Sequence, residues 1–546
     1  MTSASTNRKR ALAAAATFAA AALVLAGCSA GGTTGGSTTK TGGPLTIGTT
    51  DKVTTLDPAG SYDNGSFAVQ NQVFPFLMNT PYGSPDVQPD IATKAEFTAP
   101  TEYTVTLKPG LKFANGHDLT ASDVKFSFDR QLKIAADNGP SSLLYNLAST
   151  DAKDDTTVVF HLKAANDQIF PQILSSPAGP IVDEESFSAT AVTPDQDIVK
   201  AKAFAGQYTI TSYDFNNLIG YKANKDYQGL LGPAKTDVIN VKYYAESSNL
   251  KLDVQEGNID VAFRSLSATD IDDLRGNDKV KVVDGPGGEI RYIVFNFDTQ
   301  PYGAKTAEAD PAKALAVRQA AADLVDRDEL AKQVYKGTYT PLFSYVPDGL
   351  TGATKSLQGL YGDGKGAPDA AKATATLEKA GVTVPIALNL QYNTDHYGPG
   401  SSDEYALVKD QLEASGLFKV NLQSTEYVQY VKDRTSDVYP AYQLGWFPDY
   451  SDADNYLTPF FLNDNFVKNH YKDQAVNDLI LKQAVTADPA ARTKLIEEIQ
   501  DEVAAELPTL PLLQGAQVAV TGTDVTGTTD TLDASFKFHY GALAKG

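Results

Sequence analysis

The chain contains very little sulfur and little histidine, with one cysteine, two methionines and five histidines among 546 residues. A single thiol excludes an intrachain disulfide framework and a zinc site made of several thiolates. No two histidines have the spacing of a metal-binding pair, so we expect each to be structural or on the surface. The five are His117, His161, His396, His470 and His539. We therefore expect no metal ion and no cofactor.

Positive charge is also in the minority. There are 46 lysines and arginines against 67 acidic residues, and the formal net charge is −21. Such an acidic surface repels nucleic acid and anionic headgroups, so we expect no nucleic-acid partner. The composition is 42% hydrophobic, which is enough for large cores. A chain of this length predicts more than one domain, because single cores stop growing near ~250–300 residues.

Long apolar runs are missing from the sequence except near the N-terminus. The apolar stretch from Ala11 to Val24 follows the basic run Arg8-Lys9-Arg10. It is too short to span a bilayer and remain there, and it has the pattern of a secretory signal. We predict that residues 1–27 are a signal peptide and that the mature protein is secreted across the cytoplasmic membrane.

The single cysteine lies directly after this signal. The run Leu25-Ala26-Gly27-Cys28 resembles the lipobox of bacterial lipoproteins, in which the thiol at the new N-terminus receives a diacylglyceryl group. The alternative is an ordinary signal that happens to be followed by a cysteine. The resemblance implies lipidation of Cys28 and anchoring at the outer face of the membrane. Residues 28–43 are almost all Gly, Thr and Ser, which predicts a flexible tether.

The remaining sequence alternates between strand and helix patterns. Tyr103 to Leu107 alternates polar and apolar residues, which predicts a half-buried strand, and Arg291 to Phe297 is nearly all apolar, which predicts a buried one. The segment Thr120-Ala-Ser-Asp123 has the form of a capping box and predicts the start of a helix. We therefore expect an α/β protein with two or three lobes packed together.

No motif in the chain requires catalysis. The segment Gly359 to Gly366 imitates a phosphate-binding loop, but Gly366 stands where a hydroxyl is needed. Asp449, Asp452 and Asp454 suggest calcium only weakly, because the central glycine and terminal glutamate of a calcium loop are missing. The paired carboxylates of a glycosidase stay open as an alternative, since such partners meet only in the fold. We expect the protein not to be an enzyme.

Six blocks in order resemble the bacterial extracellular solute-binding proteins of family 5, the peptide- and nickel-binding subunits of ABC importers. The blocks are Thr55-Leu-Asp-Pro58, Leu107 to Phe128, Asn224-Lys-Asp-Tyr227 before Gly232-Pro233, Gln255 to Val261, Val317 to Arg327, and Gly445 to Tyr456. Together they extend over most of the predicted mature chain.

The resemblance implies a type II periplasmic-binding-protein-like fold, in which two lobes close about a hinge and an extra domain is inserted. Lobe I is expected to be discontinuous and to comprise residues 44–84, 203–297 and 515–546. The inserted domain is expected at residues 85–202, and lobe III at residues 298–514.

The resemblance also implies a ligand site around the only tryptophan. In family members that bind oligopeptides, the aspartate three residues after this tryptophan pairs with the peptide α-ammonium, which assigns that role to Asp449. The backbone of Gly445 and Phe447 is expected to hydrogen-bond an extended peptide as an added strand. The other residues expected at the site are Trp446 and Tyr450. Asp452, Asn455 and Arg434 are expected either to contact the ligand or to support the loop.

These expectations combine into one function. The protein is expected to be a monomeric, lipid-anchored binding protein that captures oligopeptides and delivers them to the permease and ATPase subunits of an ABC importer. An oligosaccharide, a nickel chelate or haem are alternative solutes. A peptide-signal receptor and a surface hydrolase are alternatives of a different class.

Overall fold

In the computed structural model, the structure describes residues 43–264 and 266–546. The predicted signal peptide, the lipidation of Cys28 and all but the last residue of the tether lie outside the described residues. The described part is an α/β structure built around three sheets of four to seven strands, so the predicted α/β class is confirmed. None of its helices is both long and apolar enough to cross a bilayer.

Lobe I contains a seven-stranded mixed sheet. In spatial order its strands are Val280–Gly285, Gln517–Gly522, Val261–Phe263, Leu45–Thr49, Val238–Tyr243, Leu218–Ala223 and Tyr208–Asp214. Its helices are Asn64–Val73, Asp195–Ala201, Ser247–Glu256 and Ala268–Arg275. The strand Leu45–Thr49, the first in the chain, pairs in parallel with Val238–Tyr243 on one side and Val261–Phe263 on the other. Both partners are distant from it in sequence.

Lobe III contains a six-stranded sheet. In spatial order its strands are Tyr339–Pro341, Thr509–Gly515, Ile290–Phe295, Ala441–Trp446, Ile386–Asn393 and Phe418–Thr425. Its helices are Pro311–Leu324, Arg327–Gln333, Ser356–Leu360, Ala370–Ala380, Ser401–Glu413, Tyr427–Thr435, Asp454–Phe461, Gln474–Ala484 and Pro489–Glu506. A large apolar core packs the helices onto this sheet.

The inserted domain has a four-stranded antiparallel sheet with the strands Ala92–Ala99, Glu102–Leu107, Thr157–Leu162 and Leu147–Ala152 in spatial order. Its helices are Ala121–Ile134 and Phe170–Ile173. Two further sheets of the described residues have two short strands each: Met78–Asn79 pairs with Gln88–Pro89, and Val525–Thr526 pairs with Ala544–Lys545. The predicted capping box is confirmed, because the Thr120 amide donates to the Asp123 carboxylate at 2.8 Å.

One predicted domain boundary is wrong. The sequence assigns residues up to 297 to lobe I, but Ile290–Phe295 pairs with Ala441–Trp446 on one side and Thr509–Gly515 on the other. All six of its residues are buried, and an apolar strand of this kind needs a neighbour on each side. Its sequence indicates burial but not which sheet supplies the neighbours. The sheet of lobe III therefore begins at Ile290.

The chain also returns to lobe I earlier than expected. Val182, Phe187 and Ile198 lie within the predicted inserted domain, yet they pack in the core beneath the seven-stranded sheet. The other predicted boundaries stay predictions.

Candidate ligand-binding cleft

A cavity of about 640 Å³ lies between the sheets of lobe I and lobe III and is called the large cavity below. Lobe I contributes Ala262, Arg264 and Val520, among others, and lobe III contributes Arg291 and Phe447. A volume of this size suits a small solute or a short peptide.

A second, much smaller cavity of about 30 Å³ lies beside Asp449 and is called the small cavity. Tyr450 and Lys537 also line it. Arg264 and Phe536 line both cavities, which makes the two spaces neighbours. The predicted ligand residue Asp449 therefore lies at one end of the cleft and not in its widest part.

Asp449 is held by two hydrogen bonds from different lobes. The hydroxyl of Tyr62, in lobe I, donates to one carboxylate oxygen, and the Asn455 side-chain amide donates to the other at 3.1 Å. Burial raises the pKa of the Asp449 carboxyl, and the hydrogen bonds from Tyr62 and Asn455 lower it only in part. No lysine, arginine or histidine among the described residues forms an ion pair with it. A half-buried carboxylate with hydrogen-bond donors but no cation has the chemistry of a receptor for an ammonium group.

Asn455 holds the segment that carries Asp449. Its side-chain oxygen accepts from the Trp446 indole at 3.0 Å and from the Asp449 backbone amide at 2.9 Å. The Trp446 ring also packs edge-on against Phe460. These bonds join the end of the strand to the first turn of the following helix, and Asn455 acts here as a loop support.

Asp452 is paired within lobe III. Its carboxylate accepts two hydrogen bonds from Arg492, at 2.6 and 2.7 Å, and a third from the Asp454 amide at 2.8 Å. It lines neither the large nor the small cavity. In this structure Asp452 stabilises the start of the helix Asp454–Phe461.

The main chain of Gly445 and Phe447 points away from the neighbouring antiparallel strand. Just before the strand Ala441–Trp446, the Asn296 amide donates to the Pro440 carbonyl at 2.9 Å. Hydrogen bonding alternates along an antiparallel pair, so the odd-numbered residues that follow direct their amide and carbonyl groups to the opposite side. These groups include the two that the sequence predicts for an added peptide strand.

That opposite side is largely free of strand pairing. The parallel strand Ile386–Asn393 pairs there only with Ala441 and Tyr442 among the described residues. Farther along, the ring of Tyr397 lies against Gly445, where an added Cβ would come within 2.9 Å of a ring carbon. Gly445 thus has no strand partner on this side, but it is buried and the Tyr397 side chain covers it in this structure.

Tyr450 and Phe447 contact other parts of the molecule. The Tyr450 hydroxyl donates to Asp454 at 3.1 Å, and its ring packs against the core of the inserted domain. The Phe447 ring lies 5.5 Å from that of Phe536, between centroids. Both predicted residues therefore help to join lobe III to its neighbours, and both line a cavity.

Arg434 lies away from both cavities. It is buried, and its guanidinium donates to the Val467 carbonyl at 3.1 Å. This placement fits loop support and gives no sign of a ligand contact.

Sequence reasoning did not single out Tyr62, Arg264 or Arg291. Tyr62 follows the block Thr55 to Pro58, whose Asp57 forms a fully buried bidentate pair with Arg130 at 2.8 Å. The resemblance of that block to the family was the one sequence feature near Tyr62 that could have pointed to this residue. Only the tertiary structure brings the two arginines to the cleft.

One group of potential metal ligands occurs among the described residues, at Asp298, Asp437 and His470. Lys305 lies 2.7 Å from Asp298, and His470 lies 2.6 Å from Asp437. Neighbouring cationic or hydrogen-bonding side chains therefore already satisfy these carboxylates, and the group lies outside both cavities.

Comparison with known proteins gives consistent results. Residues 86–468 match the family model described as bacterial extracellular solute-binding proteins, family 5 Middle. The glutathione-binding protein GsiB of Escherichia coli strain K12 is 25% identical over 498 residues, which cover 89% of this chain and 91% of that protein.

Two solved structures are similar to nearly the whole chain. CtaP from Listeria monocytogenes, an ABC transporter substrate-binding protein, has a TM-score of 0.76 at 21% identity and covers 92% of this chain and 99% of its own. The periplasmic binding protein DppA from Helicobacter pylori, in complex with peptide STSA, has a TM-score of 0.70 at 19% identity, with 92% and 98% covered. The predicted two-lobed type II fold is confirmed.

Proposed function

The chain belongs to the bacterial extracellular solute-binding proteins of family 5, and from this membership we propose that it captures peptides with a free amino terminus and delivers them to an ABC permease. The coarser role, a solute-binding subunit of an ABC importer, follows from the family. The observation that carries the choice of peptide is Asp449, a half-buried carboxylate at the cleft without a cationic partner among the described residues.

An α-ammonium group suits the surroundings of Asp449. The carboxylate already accepts hydrogen bonds from Tyr62 and Asn455. A ligand ammonium would add a third donor and would also supply the positive charge that the site lacks. A buried ion pair is favourable only when its hydrogen bonds are complete. Here the protein supplies part of them before the ligand arrives.

The strand edge beyond Tyr442 has no strand partner among the described residues, and this supports an extended peptide once the Tyr397 side chain moves aside. Gly445 and Phe447 direct their amide and carbonyl groups away from the paired strand, so a peptide could add to this edge through its own backbone. Backbone recognition tolerates many side chains, because the backbone is common to all peptides. The similar proteins that bind glutathione and the peptide STSA support the same ligand class.

An oligosaccharide is the second candidate, because several aromatic side chains line the large cavity. Tyr339 and Tyr397 lie over the guanidinium of Arg291, however, and Phe447 and Phe536 lie near that of Arg264. These four rings already have cationic partners, which favours the peptide over the sugar.

Membrane attachment through Cys28 is part of the same proposal. A flexible tether at residues 28–43 would confine the binding protein near its permease and raise its effective concentration there. We propose that the protein acts as a monomer, loaded with peptide and docked onto the permease and ATPase assembly.

Native mass spectrometry of the protein purified from cells tests the ligand class. We expect co-purified masses that fragment as peptides. A cleft loaded reproducibly with sugar, haem or a nickel chelate would contradict the peptide proposal and leave the importer role in place.

A further inference from the structure

The ammonium site at Asp449 and the widest part of the cleft are separate spaces. Asp449 lines only the small cavity of about 30 Å³, whereas the large cavity has a volume of about 640 Å³. A peptide whose ammonium lies at Asp449 and whose body lies in the large cavity has to pass from one space to the other. The width of that passage limits which residue can stand first in the peptide.

Two aromatic rings and a guanidinium form the passage, which is called the constriction below. Phe536 and Arg264 line both cavities. The Phe536 ring centroid lies 5.5 Å from that of Phe447, and the Arg264 guanidinium lies 4.7 Å from the Phe536 centroid. Phe447 belongs to lobe III and Arg264 to lobe I, so the constriction forms where the two lobes meet.

The Phe536 ring is held at the constriction by its backbone. The Ser535 amide donates to the Asp533 carboxylate at 2.7 Å, and the Phe536 amide donates to the Asp533 carbonyl at 3.3 Å. Phe536 has a φ of 64°, in the left-handed region that bulky residues rarely adopt. Two residues later, Phe538 packs in the core of lobe I. Unfavourable backbone of this kind is common at ligand sites, and here it lies at the boundary between the cavities.

The small cavity behind the constriction has little freedom to expand. The rings of Phe263 and Phe538 line it and are stacked, with centroids 3.8 Å apart. Both residues are buried, and close-packed core side chains yield little space. A volume of about 30 Å³ is the share of one water molecule in the liquid, which suits an ammonium group. A leucine or phenylalanine side chain needs several times that room.

The small cavity also has a polar side chain without a partner. Asn71 lines it and is 6% exposed. The side-chain oxygen of Asn71 is buried and has no hydrogen-bond partner among the described residues. An ammonium group can donate to such an acceptor, whereas a hydrocarbon side chain in the cavity would leave it unpaired at a cost.

The cations that line the small cavity already have partners. The Lys537 ammonium donates to the Asn79 side-chain oxygen at 2.9 Å. The Arg264 guanidinium lies 3.9 Å from the carboxylate of Asp51, which lines the same cavity. Asp449 is thus the lining carboxylate that lacks a cation among the described residues, and the charge balance of the small cavity favours one ammonium group.

We propose that the small cavity receives only the ammonium group of the peptide, and that the constriction at Phe536 selects peptides that begin with glycine or alanine. This inference rests on the proposed peptide function and adds the identity of the first residue to it. A first side chain branches from the carbon next to the ammonium nitrogen, so a large one has to lie in the small cavity or within the constriction. Later side chains lie in the large cavity, where there is more room.

Calorimetric titration of the mature protein with four tripeptides tests the inference. The peptides are trialanine, Gly-Ala-Ala, Leu-Ala-Ala and Ala-Ala-Leu. In the wild type we expect Leu-Ala-Ala to bind about tenfold or more weakly than trialanine, because overfilling a packed site is unfavourable. Gly-Ala-Ala and Ala-Ala-Leu should both bind within about threefold of trialanine. The last peptide separates selection at the first residue from a general preference for small ligands.

Phe536→Gly is the central variant, because it removes the ring and because glycine adopts a positive φ readily. We expect Leu-Ala-Ala to bind this variant within about threefold of trialanine. Phe536→Leu, which keeps a smaller apolar side chain, should give an intermediate ratio of the two affinities. Phe215→Gly is the matched control, because Phe215 is exposed and lines neither cavity, and it should keep the wild-type ratio.

The thermal midpoint of each variant checks that it is folded, and Phe536→Leu keeps the test valid if the glycine variant is unstable. Equal wild-type affinity for Leu-Ala-Ala and trialanine would overturn the selection while leaving the peptide function intact. Full discrimination in both Phe536 variants would overturn the assignment to Phe536. An Ala-Ala-Leu affinity as low as that of Leu-Ala-Ala would overturn selection at the first residue. If no tripeptide binds, the proposed function fails together with this inference.

Discussion

The hydroxyl of Tyr62 donates a hydrogen bond to the carboxylate of Asp449, a residue 387 positions later in the chain and in the other lobe. This contact makes lobe I a part of the Asp449 site. It also leaves that half-buried carboxylate with two donors and no cation, so the charge of Asp449 is costly until a ligand supplies its counterpart.

Replacing Asp449 with Asn should weaken binding of peptides that have a free amino terminus by about 30-fold or more, because the ammonium loses its counter-charge in a buried site. Titration monitored by the fluorescence of Trp446 measures this. N-acetylated peptides should bind the wild type and the variant equally. Asp226→Asn, at an exposed position, is the matched control. Unchanged affinity in Asp449→Asn would remove the assigned role.

The same Asp449→Asn substitution should stabilise the ligand-free protein at neutral pH. The folded-state pKa of Asp449 is raised by desolvation, so stability falls as the pH rises from the unfolded pKa to the folded pKa, and the cost is absent below the unfolded pKa. We expect the thermal midpoint of the variant to exceed that of the wild type at pH 7 and the difference to shrink in acid. A lower midpoint at pH 7 would contradict the buried, uncompensated charge.

Tyr62→Phe should move the pH dependence of peptide binding to higher pH. The Tyr62 hydroxyl lowers the pKa of Asp449, so its loss raises that pKa further. Only the ionised carboxylate attracts an ammonium group, and affinity therefore falls as the pH drops through the pKa. Titrations at several pH values compare the acid limbs of the two proteins. Identical limbs would show that the hydroxyl does not act on Asp449.

Arg492→Gln should destabilise lobe III without abolishing peptide binding. The substitution leaves Asp452 uncompensated beside Asp454, whose pKa is raised to about 6 by burial and by Asp452. We expect a loss of about 2 kcal/mol at pH 7, measured by denaturant unfolding. Below about pH 6 the loss should shrink, because protonation of Asp454 removes one of the two charges. Asp129→Asn, at an exposed ion pair, should cost less than about 0.5 kcal/mol.

Gly445→Ala should lower stability by about 1 kcal/mol or more, because its Cβ would lie within 3.0 Å of two ring carbons of Tyr397. The double variant with Tyr397→Leu should recover most of this loss, since the smaller side chain vacates the space. Thermal unfolding of the two single variants and the double variant measures the coupling. Simple additivity of the two losses would show that the Tyr397 ring is not the obstacle.

Several local features of this fold follow directly from the sequence. The capping box at Thr120 and Asp123 forms because both partners lie within one helical turn. The strand at Tyr103 to Leu107 follows from its alternation of polar and apolar residues. The assignment of Ile290–Phe295 to a lobe failed because its apolar character specifies burial but not its neighbours.

The sequence by itself determined the local elements, the family and the segment that carries Asp449, because these depend on residues close together in the chain. Only the tertiary structure decided what surrounds Asp449. In the fold, Tyr62 contacts the carboxylate, Arg434 lies outside the cleft, and Arg264 lines both cavities. These contacts join residues hundreds of positions apart, and no local pattern of residue types encodes which distant side chains will meet.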